Sequence, residues 1–255
     1  MRRPFPARVV GLGITLALLA TAAGAQAARR SVVGAVPASA RQLVLVVTPS
    51  WDTTSGTLRR YTRASVRAPW RRVGAAVPVV VGASGLAWGA DSLGAADDPH
   101  KREGDGRSPA GVYPLDGTFG FAPASAMSHL RMPYVPLVAG TECVDDTASE
   151  HYNTVVDRNQ VPSVDWKSAE HMRRIAQYQR GVLVGYNTRP VIRGNGSCIF
   201  LHIWDGPGSS TAGCTAFPRA DVERLVAWLD ASKHPVLVQL PAAEYARLRS
   251  RWALP

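Results

Sequence analysis

The stretch CIFLHIWDGPGSSTAGCTAFP, from Cys198 to Pro218, decides the fold and the site that we expect. Its apolar opening predicts a buried strand that ends at His202. A loop rich in glycine, serine and proline follows, and it leads to Cys214, which stands directly after Gly213. The pattern therefore predicts a strand that delivers a histidine, and a loop that doubles back to present a cysteine on a tight turn beside it.

A histidine next to a cysteine is typical of thiol nucleophiles. A thiol attacks a carbonyl as the thiolate, and its ordinary pKa of roughly 8.5 leaves little thiolate at neutral pH. His202 within hydrogen-bond reach could take that proton or hold a thiolate–imidazolium pair. Because Gly213 has no Cβ, the N–H groups of Gly213 and Cys214 could face a developing oxyanion. These three residues are our candidate catalytic residues for acyl transfer.

Other interpretations of the same residues stay open. A single cysteine is more often a buried core residue than a nucleophile. A zinc site made of Cys198, His202 and Cys214 is conceivable, but no C-x-x-C or H-x-x-x-H pair anchors it. We therefore expect no metal and no other cofactor. The group that orients His202 is also open among Thr211, Ser210, an aspartate and a backbone carbonyl.

The cysteine segment resembles the L,D-transpeptidase catalytic domain of the YkuD type, which works on bacterial peptidoglycan. The signature of that family is a histidine, a gap, and then Ser/Thr-x-Gly-Cys, and here it reads His202 followed by Thr211-Ala212-Gly213-Cys214. Residues 101–113 resemble an upstream segment of the family, and the similarity covers roughly residues 40–240. The resemblance implies a mainly β fold, either a curved mixed sheet or a β-sandwich closed by a few helices.

Two positions depart from the better-studied branch of that family. That branch has a histidine two places before the cysteine and an asparagine or arginine two places after it. Here the two positions hold Ala212 and Ala216. The nucleophile and the base of the motif carry over to this chain, whereas its substrate-binding residues do not. The chain therefore resembles a divergent branch of the family.

The resemblance also implies an activity and a set of substrate contacts. Cys214 would form a thioester with a peptidoglycan stem peptide, and an acceptor amine would then resolve it into a cross-link. The alternatives are an L,D-carboxypeptidase-type hydrolase with the same nucleophile and a non-catalytic cell-wall-binding protein. Residues 101–113 would lie beside the active site. The candidate substrate-binding residues are Glu103, Asp105, Trp204, Ser210 and Thr211.

The N-terminus has the pattern of an export signal. Three arginines open it, an uncharged and mostly apolar run over residues 9–23 follows, and an A-x-A cleavage site ends at Ala27. The run is short for a membrane span of ~20 residues, although an uncleaved signal would allow transient membrane association. We therefore predict a signal peptide over residues 1–27, a linker over 28–40 and a catalytic domain over 41–255.

Export changes the interpretation of the cysteines and of the net charge. Three cysteines are an odd number in an oxidising compartment, so a Cys143–Cys198 disulfide would leave Cys214 free, although sequence alone does not fix the pairing. The formal net charge is +10, and removing the three arginines of the signal leaves +7. This charge suits an anionic cell wall outside the cytoplasm. The arginines form no recognised nucleic-acid reader, so we expect no nucleic-acid partner.

The remaining patterns predict the elements around the site. The β-branched run over residues 43–47 is typical of a buried strand, and residues 182–186 predict another. Residues 222–229 place apolar side chains at helical spacing, which predicts an amphipathic helix packed on the sheet. Ser168 can cap a further helix running to about residue 180. Residues 101–113 are too rich in glycine to predict regular structure.

Overall fold

The structure is a computed structural model that describes Met1 and residues 35–89 and 97–255. Apart from Met1, the predicted signal peptide lies outside the described residues, as does most of the predicted linker. No helix within the described ranges is both long enough and apolar enough to cross a membrane.

The described residues form thirteen strands and two α-helices. In chain order the strands are β1 (Gln42–Thr48), β2 (Ser55–Thr62), β3 (Arg71–Val80), β4 (Leu86–Trp88), β5 (Ser108–Gly120), β6 (Tyr134–Pro136), β7 (Thr141–Val144), β8 (Val155–Asp157), β9 (Ala169–His171), β10 (Arg180–Val184), β11 (Phe200–Ile203), β12 (Thr215–Phe217) and β13 (Val236–Pro241). The helices are α1 (Arg219–Trp228) and α2 (Ala242–Leu248).

Ten strands form one mixed sheet that curls until it closes. Their order is β10-β11-β12-β3-β2-β1-β13-β5-β4, with β6 beside β5, and β10 also pairs with β5. The eight strands from β5 round to β10 therefore make a barrel-like ring. The pairs β1–β13 and β11–β12 are parallel, whereas β1–β2 and β13–β5 are antiparallel. The predicted mainly β fold with a curved mixed sheet and few helices is confirmed.

Apolar side chains on both faces of this sheet supply the core, because successive residues of a strand point to opposite faces. Val44 and Val46 of β1 pack in the cluster that contains the buried face of α1. Leu43 and Leu45 pack in a second cluster with Leu248 of α2. Each fully buried side chain of this kind contributes roughly 1.5–3 kcal/mol. The helix predicted over residues 222–229 is confirmed by α1, which ends one residue earlier, at Trp228.

A small three-stranded sheet, in the order β8-β7-β9, is joined covalently to the segment that leads into β11. The join is the Cys143–Cys198 disulfide, with an S–S distance of 2.07 Å, and it leaves Cys214 as the free cysteine of the three. Cys143 stands opposite Glu170 in the antiparallel register of β7 and β9. The disulfide therefore fixes the Glu170 strand next to the segment that carries His202.

Two secondary-structure predictions are wrong. The helix predicted from Ser168 to about residue 180 does not form, because this segment begins with β9, which pairs with β7, and continues as two 3-10 turns. Strand pairing and the burial of Met172 and Tyr178 outweigh the local helix preference. The segment 101–113 is also not irregular throughout, because β5 begins at Ser108 and pairs with β13.

Candidate active site

Cys214 and His202 lie on one face of two neighbouring parallel strands. His202 is on β11 and pairs with Ala216 of β12, while Cys214 directly precedes β12. Because side chains alternate along a strand, Cys214, Ala216 and His202 share a face. Both candidate catalytic side chains are buried, with 6% of Cys214 and 8% of His202 exposed. The predicted strand, loop and tight turn thus place the two residues on adjacent strands.

The Cys214 thiol rests in the protonated form. Its sulfur accepts a hydrogen bond from the Phe200 N–H (3.3 Å), and the thiol donates to the Cys198 carbonyl (3.3 Å). Burial raises the pKa of the thiol well above its ordinary value, and the nearby Glu170 raises it further. The Phe200 N–H, the Tyr178 hydroxyl and the Lys101 charge act in the opposite direction. These three effects are smaller than the cost of burying the thiolate.

His202 is positioned as a neutral base. Its Nδ1 lies 2.8 Å from the Ile203 carbonyl, and because a carbonyl only accepts, we place the imidazole proton on Nδ1. Nε2 then carries the free lone pair. Burial lowers the pKa of His202, while the Ile203 hydrogen bond and the Asp205 charge partly restore it. The group that orients the ring is thus a backbone carbonyl, one of the alternatives that the sequence left open.

The turn that presents Cys214 is held by two hydroxyl groups. Thr211 Oγ1 donates to the Cys214 carbonyl (2.6 Å) and accepts from the Gly213 N–H (3.1 Å). Ser108 Oγ also donates to the Cys214 carbonyl (2.7 Å). Gly213 has φ +155°, and a Cβ there would lie 3.1 Å from the Arg107 carbonyl oxygen. Thr211 is therefore a turn residue here, and the Gly213 N–H already has a partner.

The two carboxylates predicted to contact substrate are occupied within the protein. Glu103 Oε2 accepts from the Tyr152 hydroxyl (2.5 Å) and from Ser197 Oγ (2.8 Å). Asp105 Oδ1 accepts from Lys101 Nζ at 2.6 Å within its own loop. The structure thus uses both carboxylates to hold this region together.

The other two predicted substrate-binding residues lie in the loop between β11 and β12. Trp204 is half-buried, and its backbone N–H donates to the Phe217 carbonyl (3.1 Å). Ser210 is exposed. This loop is the part of the predicted site that is open to an incoming molecule.

Two residues that the sequence pattern did not single out, Tyr178 and Glu170, act on the pKa of the thiol. The Tyr178 hydroxyl donates to Glu170 Oε2 (2.6 Å), its side chain packs in the same buried cluster as Cys214, and its ring lies 5.1 Å from the His202 ring. Burial raises the pKa of Glu170 to about 7, and the charges of Asp145 and Glu103 add to this rise, while the Tyr178 hydrogen bond opposes it. The sequence around both residues predicts a helix, which does not form. No local pattern therefore indicates that they lie near the thiol.

The zinc alternative fails, because Cys198 is bonded to Cys143 and cannot ligate a metal. Within residues 35–89 and 97–255, no group of three or more histidine, cysteine, aspartate or glutamate side chains is arranged to hold a metal ion. The site holds a thiol, an imidazole and a hydrogen-bonded tyrosine–glutamate pair.

Comparison with known proteins places the chain in a family. A model of the YkuD family, described as the L,D-transpeptidase catalytic domain, matches residues 51–238, a range that contains both His202 and Cys214. No curated protein and no solved structure matches the chain. Since the match covers more than half of the sequence, the chain belongs to the YkuD family of L,D-transpeptidase catalytic domains.

Proposed function

We propose that the protein is an exported L,D-transpeptidase that uses Cys214 as its nucleophile on peptidoglycan stem peptides. The observation that carries this proposal is the free Cys214 thiol on the same sheet face as His202, whose Nδ1 is held by a carbonyl so that Nε2 can accept a proton. Membership of the family supports the substrate class. The A-x-A segment and the Cys143–Cys198 disulfide support export.

The first half of the reaction makes a thioester. The thiol turns from the Cys198 carbonyl, His202 Nε2 takes its proton, and the sulfur attacks the carbonyl of the penultimate residue of the stem. The bond from that carbonyl to the terminal D-amino acid then breaks, and the imidazolium returns the proton to the leaving amine. The Cys214 N–H is a candidate oxyanion donor, since the Gly213 N–H would first have to leave Thr211.

The second half decides between a transferase and a hydrolase. An acceptor amine from a neighbouring stem attacks the thioester carbonyl, passes a proton to His202 and releases the Cys214 thiol. Water in place of the amine would give the L,D-carboxypeptidase reaction. The exposed loop around Ser210 and the excess of positive charge suit an extended, anionic wall substrate.

The nucleophile is tested by the intact mass of the folded, non-reduced protein after incubation with a carbapenem. We expect one adduct, mapped to Cys214, and none in Cys214→Ala. His202→Gln should acylate ~100-fold more slowly because it lacks the base, whereas the exposed His129→Gln serves as a control and should match the wild type. An adduct elsewhere, or none on the wild type, would leave the non-catalytic wall-binding alternative.

The reaction itself is tested with a stem tetrapeptide, with and without a diamino-acid acceptor. A cross-linked product that requires the acceptor indicates transpeptidation. Release of the terminal D-amino acid alone, at the same rate in both samples, indicates hydrolysis.

A further inference from the structure

The Tyr178 hydroxyl lies between two groups that compete for its proton. Glu170 Oε2 accepts from it at 2.6 Å, and Tyr178 packs in the same buried cluster as Cys214, where its hydroxyl lowers the pKa of the thiol by hydrogen bonding. The Tyr178 ring is held by edge-to-face contacts with Phe119 (5.6 Å), Phe200 (5.5 Å) and His202 (5.1 Å). Only 4% of the residue is exposed. The hydroxyl therefore has a fixed place and a choice of two acceptors.

Tyr178 can act only as a hydrogen-bond donor toward a charged neighbour. Burial raises the pKa of its phenol well above the ordinary value, and the charge that Cys214 acquires on ionisation and the charge of Glu170 raise it further. The hydroxyl thus keeps its single proton, which can point to one acceptor at a time. While Glu170 is ionised, its carboxylate holds that proton and leaves the sulfur without a donor from this side.

We propose that Tyr178 is a further catalytic residue, which donates a hydrogen bond to the Cys214 thiolate, and that Glu170 acts as a positioning residue that releases Tyr178 for this role when it is protonated. The inference rests on the proposed role of Cys214 as nucleophile. A protonated Glu170 would turn its own O–H toward the Tyr178 oxygen, and the Tyr178 O–H would then turn to sulfur. Protonation also removes a negative charge from beside the developing thiolate.

The charges around Glu170 favour its neutral form. Besides Tyr178 and Cys214, it faces Asp145 and Glu103, both acidic. The positive charge of Lys101 acts on Cys214, and Asp205 acts on His202. With a pKa of about 7, Glu170 populates both forms near neutral pH. Its state can therefore govern how easily the thiolate forms.

The fold explains why this pair lies at the thiol. Cys143 stands opposite Glu170 in the small sheet, Cys143 is bonded to Cys198, and the Cys198 carbonyl accepts from the Cys214 thiol. The disulfide thus fixes the Glu170 strand within reach of the nucleophile. The two 3-10 turns that follow bring Tyr178 back beside it.

The proton balance is simple. The thiol proton goes to His202 Nε2 and then to the leaving amine, while Tyr178 and Glu170 each keep the proton they started with. Only the directions of their O–H groups change. No electron is transferred, and no co-reactant is needed.

The test is the rate of Cys214 alkylation by iodoacetamide between pH 5.5 and 9, followed by intact mass and compared with carbapenem acylation of the same samples. In Glu170→Gln, lowering the thiol pKa by about one unit gives tenfold more thiolate but a less nucleophilic one, so alkylation at pH 8 should be about threefold faster. In Tyr178→Phe it should be about threefold slower at pH 6, where Glu170 is mostly protonated and releases the hydroxyl, because the thiolate then loses its donor.

The pH profile separates this role from a merely structural one. In the wild type, the rise of the alkylation rate with pH should flatten near pH 7, where Glu170 ionises, and in Glu170→Gln it should rise evenly. Tyr134→Phe, which loses a hydrogen bond to the Ala122 carbonyl, and Glu142→Gln, at a buried carboxylate of the same small sheet, are controls that should not change the profile.

Opposite effects of the two variants and loss of the flattening in Glu170→Gln support the proposal. Slowing in both variants, or an unchanged profile in Glu170→Gln, overturns it. Alkylation that behaves as expected while the wild type fails to acylate would refute the proposed function but keep the thiolate contact. The two failures are therefore distinguishable.

Discussion

Removal of the Cys143–Cys198 disulfide should lower the stability of the domain by an amount that depends on the length of the loop that the disulfide closes. The two cysteines are separated by 55 residues, and a cross-link that closes a loop of that length removes enough unfolded-state entropy to stabilise a protein by ~4 kcal/mol. This is a large part of the ~5–15 kcal/mol by which domains are stable. For a domain of about this size the expected decrease in Tm is ~8–16 °C.

The measurement is urea-induced unfolding of Cys143→Ala/Cys198→Ala in a Cys214→Ala background, compared with Cys214→Ala alone. The background removes the free thiol, which could exchange with the disulfide once the chain unfolds. Hydrogen exchange should show the largest loss of protection in β7 and β9, because the disulfide joins their sheet to the segment before β11. A difference under ~1 kcal/mol would refute the entropic reasoning, and an even loss of protection across β1, β13 and the small sheet would refute the proposed tether.

Two further changes test the packing at the site and the charge of Glu170. In Gly82→Ala the new Cβ would lie 2.2 Å from the Gly106 carbonyl oxygen, so we expect urea unfolding to show a loss of ~3 kcal/mol. In Gly104→Ala no atom lies within 4 Å of the new Cβ, so only the left-handed backbone (φ +71°) is strained and the loss should be ~1 kcal/mol. An equal loss in the two variants would contradict this reasoning. Because the folded pKa of Glu170, about 7, lies above its ordinary value, the stability it contributes is full below pH ~4.5 and is lost as the pH rises through 7. Urea unfolding should therefore find Glu170→Gln more stable than the wild type at pH 8, by up to ~3 kcal/mol, and equally stable at pH 4.5. The same difference in stability at both pH values would argue against an ionisable Glu170.

The parts that sequence predicted correctly are those that local patterns encode. The apolar run before His202 predicts a strand, and the glycine before Cys214 predicts a turn, because both depend on residues within a few positions. The same holds for β1 and for the amphipathic helix α1. The free state of Cys214 followed from the odd number of cysteines once a Cys143–Cys198 pair was assumed, and the structure contains that pair.

The parts that sequence could not predict depend on register between distant strands. The segment after Ser168 has the local signals of a helix, but pairing with β7 makes its first part β9 and places Glu170 opposite Cys143. No residue near Tyr178 in the chain indicates that its hydroxyl will reach Cys214. The Asp105 carboxylate, a candidate substrate contact from its charge, is bound by Lys101 within its own loop, and this pairing also has no signal in the sequence.

The resting site combines two features that oppose catalysis at first sight, a buried thiol with a raised pKa and a buried histidine with a lowered pKa. Both features have the same cause, since each group rests in its neutral form where charge is costly. A protonated thiol is also poorly oxidised, which would protect Cys214 in the oxidising compartment to which the proposed export leads. Transfer of one proton from Cys214 to His202 creates an anion and a cation together, so their attraction offsets part of the cost of burying each. In the proposed enzyme, reactivity therefore arises when a substrate carbonyl accepts the sulfur and Tyr178 turns its hydrogen bond toward the sulfur. Until then the thiol reacts only slowly.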